Sequence, residues 1–153
     1  MRSIIFIILL LISSIYSANA NDIDVKFDVN EVLNCEFQKL LAKNPKSNFE
    51  TFMPGEVDNN NIENLKITAN IPSELTVEGL SKFLNNFKNY EVKVVNKDII
   101  LFKAFNEDRN YSESSIIDRK TGELVHEITK NIKTDNVEKK ISFYNCSKAK
   151  VNI

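Results

Sequence analysis

The sequence contains no tryptophan, one histidine and only three glycines among its 153 residues. Without tryptophan it lacks the usual platform for stacking sugars. The usual zinc sites need several histidine or cysteine ligands, and the single histidine, His126, has no cysteine nearby. Phosphate-binding loops need clustered glycines, whereas Gly55, Gly79 and Gly122 are far apart. We therefore predict that the protein holds no metal, nucleotide or other cofactor.

Cysteine is also scarce, with only Cys35 and Cys146 in the chain and no Cys-x-x-Cys pair. In an oxidising compartment, an even pair of cysteines favours a disulfide over a reactive thiol. Closing so long a loop stabilises a domain by about 4 to 5 kcal/mol on the chain-entropy account. We predict a Cys35–Cys146 disulfide that brings an early element against the last strand.

The N-terminus has the features of a secretory signal. A short basic start precedes an unbroken apolar run over residues 4–12, and residues 17–20 end in the small-x-small pattern that signal peptidases cleave. The apolar run is too short to span a bilayer. We predict a signal peptide over residues 1–20 and a single globular domain over residues 21–153, exported to the periplasm or the extracellular medium, with no integral membrane segment after signal removal.

The charge of the mature chain is nearly balanced, with 19 basic and 21 acidic side chains after residue 20. Both signs are scattered along the chain, and Asp135 and Glu138 interrupt the densest basic stretch, residues 130–140. This pattern is typical of a solvated surface and not of a protein that binds nucleic acid or an anionic membrane.

The first part of the mature chain combines two periodicities. Apolar and charged residues alternate over residues 23–29, which predicts a half-buried strand. Residues 29–43 fit either a continuation of that strand or a helix that Asp28 and Glu31 would cap, and we favour the helix. The apolar residues at helical spacing are Leu33, Phe37, Leu40 and Leu41.

Residues 44–64 are rich in Asn, Pro and Gly and are predicted to be a long loop. A strand over residues 65–71 should end at Pro72. A helix should follow it, with Thr76 as its N-cap. Its apolar residues at helical spacing are Leu80, Phe83, Leu84 and Phe87.

The C-terminal half has short alternating segments joined by polar turns, which predicts an antiparallel meander of four to five strands. The predicted strands cover residues 92–95, 99–105, 111–118, 123–132 and 137–146. The whole chain therefore predicts an α+β fold in which one or two helices cover an antiparallel sheet. A small closed β-barrel is the alternative.

A strand-helix-hairpin pattern covers residues 71–83, 90–95 and 99–101, including Ile71-Pro72-Ser73-Glu74-Leu75-Thr76. It resembles the small periplasmic modules near the N-termini of secretins and TonB-dependent receptors. The pattern includes no diagnostic residue, so we assign no family from it.

Candidate catalytic residues are few. On a strand, His126 shares a face with Leu124 and Ile128, which favours a packed histidine, and Glu127 points to the opposite face. Two acids at the right separation suffice for glycoside hydrolysis. The acidic pairs that could be nominated are Glu113 with Asp118 and Glu123 with Glu127. Acids on exposed strand faces are expected in any soluble sheet protein, so these pairs weigh little.

We expect a protein that acts by binding another protein and that catalyses no reaction. The alternatives are a carboxylate-based hydrolase and a carrier of a small apolar ligand, whose cavity Phe83, Phe87, Phe102 and Phe143 would line. Loops carry recognition more often than sheet faces do. The predicted partner surface consists of Phe49, Phe52 and Met53 in the long loop, with Glu107, Asp108 and Arg109 in the loop over residues 106–110.

Overall fold

The computed structural model describes residues 28–58, 60–70, 74–87 and 90–150. The predicted signal peptide and most of the strand predicted over residues 23–29 lie outside these ranges. The described chain forms nine strands and one short helix, α1 (Lys82–Asn85). The strands are β1 (Val32–Lys43), β2 (Glu50–Phe52), β3 (Ile62–Asn70), β4 (Glu74–Glu78), β5 (Val92–Val95), β6 (Ile99–Phe105), β7 (Tyr111–Asp118), β8 (Glu123–Lys130) and β9 (Glu138–Lys148).

All nine strands belong to one antiparallel sheet with the order β4-β3-β1-β9-β8-β7-β6-β5, and β2 pairs with the end of β1. The predicted C-terminal meander is confirmed, since β5 to β9 pair in chain order. The predicted α+β class is wrong, because four residues of helix cannot cover a sheet of this size. The sheet instead curls until it is nearly closed and covers its own inner face.

The strand β1 occupies the segment for which we favoured a helix. Leu33, Cys35 and Phe37 alternate into the core, and β3 and β9 supply hydrogen-bonding partners on both edges. A bulge between Phe37 and Lys39 shifts the phase of the strand by one residue, so that Leu40 is buried as well. Phe37 and Leu40 therefore lie three positions apart on one face, which imitates helical spacing.

The helix predicted after Pro72 is reduced to the single turn α1. Thr76 does not cap it, because residues 74–78 form β4 and pair with β3. Gly79 follows at a φ of +91°, and a Cβ there would lie 3.0 Å from the carbonyl oxygen of Asn64. The N-cap is Ser81, whose hydroxyl accepts a hydrogen bond of 3.0 Å from the Leu84 amide.

The segment over residues 44–64 is only partly loop, because it contains β2 and the first residues of β3. Leu40 and Phe52 are register partners in the β1–β2 pair. Phe52 packs against the core, so this residue attaches the segment to the sheet.

The sheet has two free edges, β4 and β5, which do not pair with each other in the described chain. Side chains close this seam, since Tyr90 donates a hydrogen bond of 3.0 Å from its hydroxyl to the Leu84 carbonyl. Its ring also lies 5.5 Å from the ring of Phe102 in β6. Burial raises the pKa of Tyr90 to about 12, although a hydrogen bond with the Val77 backbone in β4 opposes the rise. The barrel alternative thus describes the curvature of the sheet but not a closed hydrogen-bond ladder.

Candidate binding surface

The predicted disulfide is confirmed: Cys35 and Cys146 are bonded and lie directly opposite each other in β1 and β9. Both cysteines are buried on the inner face of the sheet. The bond links the first described strand to the last, which assigns it a structural role.

The predicted loop surface is partly exposed. Phe49 and Met53 are 48% and 51% accessible, whereas Phe52 faces the core. Glu107, Asp108 and Arg109 are all exposed at the turn between β6 and β7.

These two loops border the same end of the sheet without meeting. A cross-strand row connects them through Phe105, Ser112, Thr129, Lys139 and Lys43. At about 4.8 Å per strand, four strand spacings separate the ends of this row by roughly 19 Å. The loops therefore lie at opposite ends of one rim.

The outer face of the sheet, next to this rim, carries a feature that the sequence prediction missed. An apolar row crosses the outer face of five strands, from β5 to β9, and we call it the outer row. Its register partners, in order, are Val94, Leu101, Ile116, Val125 and Phe143. Val94 and Ile116 are 41% and 37% accessible.

Shallow grooves flank Val125 on both sides. One groove of about 250 Å³ includes Val92, Leu101, Ile116 and Val125 in its lining. The other, of about 520 Å³, includes Val125 together with Phe143 and Lys39. The outer row is therefore bordered by two recesses that can receive side chains of another molecule.

A signal for this surface is present in the sequence. Adjacent apolar residues occur in β6 as Ile100-Leu101, in β7 as Ile116-Ile117 and in β8 as Leu124-Val125. Neighbouring residues on a strand point to opposite faces, so such pairs indicate a strand that is apolar on both faces. Ile100, Ile117 and Leu124 fill the core, and their neighbours form the outer row.

Lysines surround the outer row, and we call these residues the lysine group: Lys39, Lys43, Lys103 and Lys139. Three of them lie over aromatic rings, as Lys39 does at 4.7 Å from the centroid of Phe143. Glu127, whose carboxylate lies 3.0 Å from Lys139, is the acid on the same part of the face. Arg109 adds a guanidinium over Phe105 and forms an ion pair with Glu91.

Within its apolar core, the inner face contains a buried polar cluster centred on Glu113, which is 2% accessible. Its carboxylate accepts a hydrogen bond of 2.5 Å from the Tyr111 hydroxyl and lies 3.0 Å from His126 Nε2. The Ser81 hydroxyl is a third donor. Burial raises the pKa of Glu113, but the hydrogen bonds from His126, Tyr111 and Ser81 outweigh burial and hold that pKa below its ordinary value.

This cluster was not found from the sequence. We treated Glu113 as an acid on an exposed strand face, which is wrong, because Glu113 shares the inner face with Ser115 and Ile117. His126 is buried as expected, and Glu127 points outward to Thr129 and Lys139. The cluster ties β7 and β8 to the residue that caps α1, so it holds the seam segment against the sheet.

The nominated acidic pairs do not converge. Glu113 is inside the sheet, while the Asp118 carboxylate accepts from the backbone amides of Lys120 and Thr121 in the following turn. Glu123 and Glu127 lie on one strand four residues apart, which is about 13 Å along its axis.

Among the residues that the structure describes, the serine beside His126 is not arranged as a nucleophile. Ser115 is its cross-strand partner, but the Ser115 hydroxyl is buried and has no hydrogen-bond partner within the described chain. A serine nucleophile must be hydrogen-bonded to its general base and accessible to the substrate. The Ser115–His126–Glu113 set meets neither condition.

The four phenylalanines of the carrier hypothesis lie on different faces. Phe83 and Phe87 pack together at 5.1 Å, and Phe102 is fully buried on the inner face. Phe143 lies in the outer row, opposite Val125. These residues therefore line no common cavity.

No cluster of three or more potential metal ligands occurs among the residues that the structure describes. Over the same residues, no helix has the length and hydrophobicity needed to cross a bilayer. Comparison of the chain with protein-family models, curated proteins and solved structures finds no match.

Proposed function

We propose that this chain is exported and acts by binding another protein through the outer row, without catalysing a reaction. The single observation that carries the proposal is the continuous apolar row across β5 to β9, which is exposed at Val94 and Ile116 and half-buried at its other residues although the inner face is well packed.

Scattered apolar residues are normal on a protein surface, whereas a contiguous apolar patch indicates a contact surface. The outer row is contiguous, because each residue is the direct register partner of the next. The exposed Phe49 and Met53 at the rim enlarge the apolar area beside the lysine group. The interface core would then be the outer row, and the rim would be the two predicted loops.

Export is part of the proposal and has two supports. The first is the signal-like segment over residues 1–20, and the second is the buried disulfide, which forms and persists in oxidising compartments. Mass spectrometry of the protein from its natural source should give a chain that begins at Asn21. An intact N-terminus on the folded, oxidised protein would contradict export.

Site-specific photocrosslinking in the organism that produces the chain tests the binding surface. A photoreactive phenylalanine analogue is placed at Ile116 or Val125, and at Val32 as the matched control. Val32 and Ile116 are 38% and 37% accessible, but Val32 lies in β1 outside the outer row. We expect Ile116 and Val125 to give an adduct with the same protein, and Val32 to give none.

Two outcomes would overturn the proposal. One is the absence of any adduct from Ile116 and Val125, and the other is an equal yield from Val32. An adduct of twice the chain mass would make the occupant a second copy and would also overturn it. Recovery of a specific catalytic activity that His126→Ala abolishes would overturn the non-catalytic part.

A further inference from the structure

We infer that the bound partner presents an acidic segment, with carboxylates alternating with apolar side chains. The inference rests on the proposed function, because it concerns the same outer row. Its basis is the uneven distribution of charge over the outer face of the sheet.

The lysine group is concentrated in three adjacent cross-strand rows. Lys43 and Lys139 are register partners in the first row, Lys103 belongs to the second, and Lys39 ends the outer row itself. Glu127 is the acid in these rows, and Lys139 neutralises it. The surface is therefore positive, although the mature chain carries 19 basic and 21 acidic side chains.

Other parts of the outer face carry the opposite sign. The next row along the strands contains Glu36 and Glu123, which are both register partners of Asn145. The edge strand β4 exposes Glu74 and Glu78. The positive charge is thus local to the outer row and to the two rows between it and the loop rim, whereas Glu123 borders the groove of Lys39 on the other side.

Lys39, Lys43 and Lys103 remain available to a partner. None of the salt bridges within the described chain includes them, and each ammonium group lies over an aromatic ring. Apolar recesses beside unpaired ammonium groups complement a segment whose apolar and acidic side chains alternate. The overall negative charge of the mature chain favours such a protein segment over an anionic membrane.

The test uses the full mature protein and three synthetic peptides of the same length. One alternates valine with glutamate, the second alternates valine with serine, and the third alternates valine with lysine. Binding is measured by nuclear magnetic resonance, with amide shifts of β6 to β9 as the readout. We expect the glutamate peptide to bind on the outer row. Its affinity should fall as salt is added, because salt screens exposed charges.

The variant Lys39→Gln/Lys103→Gln should lower the affinity for the glutamate peptide by roughly three- to tenfold. The control Lys66→Gln/Lys150→Gln removes the same charge away from the outer row and its rim and should leave the affinity unchanged. Vesicles of phosphatidylserine and phosphatidylcholine form the second arm, and we expect no binding to them.

Three results would overturn the inference. The serine peptide could bind as tightly as the glutamate peptide, the glutamate peptide could fail to bind at about 1 mM, or the vesicles could bind through Lys39 and Lys103. In each case the crosslinking experiment still tests the proposed function separately, because formation of the crosslinked adduct does not depend on the charge of the partner.

Discussion

The two faces of the strands β6 to β9 each depart from the usual distribution of polar and apolar residues. The inner face encloses Glu113, His126 and Ser115, while the outer face displays Ile116 and Val125. On the inner face, three hydrogen-bond donors satisfy the buried carboxylate. On the outer face, Lys39 lies over Phe143, while Val94 and Ile116 are open to solvent. This comparison teaches that the inner polar cluster is fully enclosed and satisfied, whereas the outer apolar row is left partly open to solvent.

The largest expected effect on the inner face comes from the disulfide. Cys35→Ala/Cys146→Ala should lower the free energy of unfolding by about 5 kcal/mol, since the bond closes a loop of 111 residues. Urea denaturation under oxidising conditions measures the loss. The wild-type protein in reducing buffer is the control and should match the double variant. A loss below about 1 kcal/mol would contradict the structural role.

Removal of the buried carboxylate should be the next largest effect. Glu113→Leu leaves the donors of Tyr111, His126 and Ser81 without an acceptor and should cost about 3 kcal/mol. Thermal and urea unfolding measure this loss. Glu127→Leu on the outer face is the matched control and should change stability by less than about 1 kcal/mol. Equal losses in the two variants would remove the distinction between the faces.

The pH dependence of stability sharpens the same distinction. The folded pKa of Glu113 is lowered, so its contribution is present above the ordinary value of 4.5 and is lost as the pH falls below it. Urea unfolding from about pH 6 to about pH 3 should show a smaller decline for Glu113→Gln than for the wild type. Other carboxylates with lowered pKa values, such as Asp118, lose their contribution to stability equally in both proteins. Parallel profiles would show that Glu113 does not titrate with folding.

Two serine variants on the inner face should have opposite effects. Ser115→Ala removes a buried hydroxyl without a partner and should raise the free energy of unfolding by about 1 kcal/mol. Ser81→Ala removes both the α1 cap and a donor to Glu113, and should lower it by about 1 kcal/mol. Calorimetry of both variants shows whether each one is more or less stable than the wild type. A loss of stability in Ser115→Ala would show that this hydroxyl has a bound partner.

The smallest effect on stability is expected from the outer row. Ile116→Thr keeps a β-branched side chain on an exposed position and should change the free energy of unfolding by at most about 0.5 kcal/mol. Ile117→Thr is the matched control, because it buries a hydroxyl on the inner face and should cost at least about 2 kcal/mol. Urea denaturation compares the two. A large loss in Ile116→Thr would mean that the outer row is structural.

The sequence was sufficient for the meander and the disulfide, because strand alternation, polar turns and cysteine pairing are local or compositional signals. It was misleading for β1, since the bulge near Lys39 places Phe37 and Leu40 on one face at helical spacing. The α1 prediction was wrong in extent for a related reason. The alternation of Leu75 and Val77 competes with the helical pattern, and pairing with β3 decides for the strand.

The two faces could not be assigned from the pattern of β7. Its odd positions include Glu113 and Ser115, and its even positions include Ser114 and Ile116, so each set is partly polar. Only the pairing with β6 and β8 shows that the odd set is inside. The buried carboxylate and the exposed isoleucine therefore both escaped prediction.

The amino-acid sequence by itself determined where strands form in the C-terminal half and that the two cysteines pair, because these depend on residue type and spacing along the chain. The tertiary structure alone decided which side of each strand is buried, that a seam closed by Tyr90 takes the place of covering helices, and that five apolar residues line up across β5 to β9. The physical reason is register: a shift of one residue between strands moves every side chain to the opposite face, and residue order along one strand does not encode that shift.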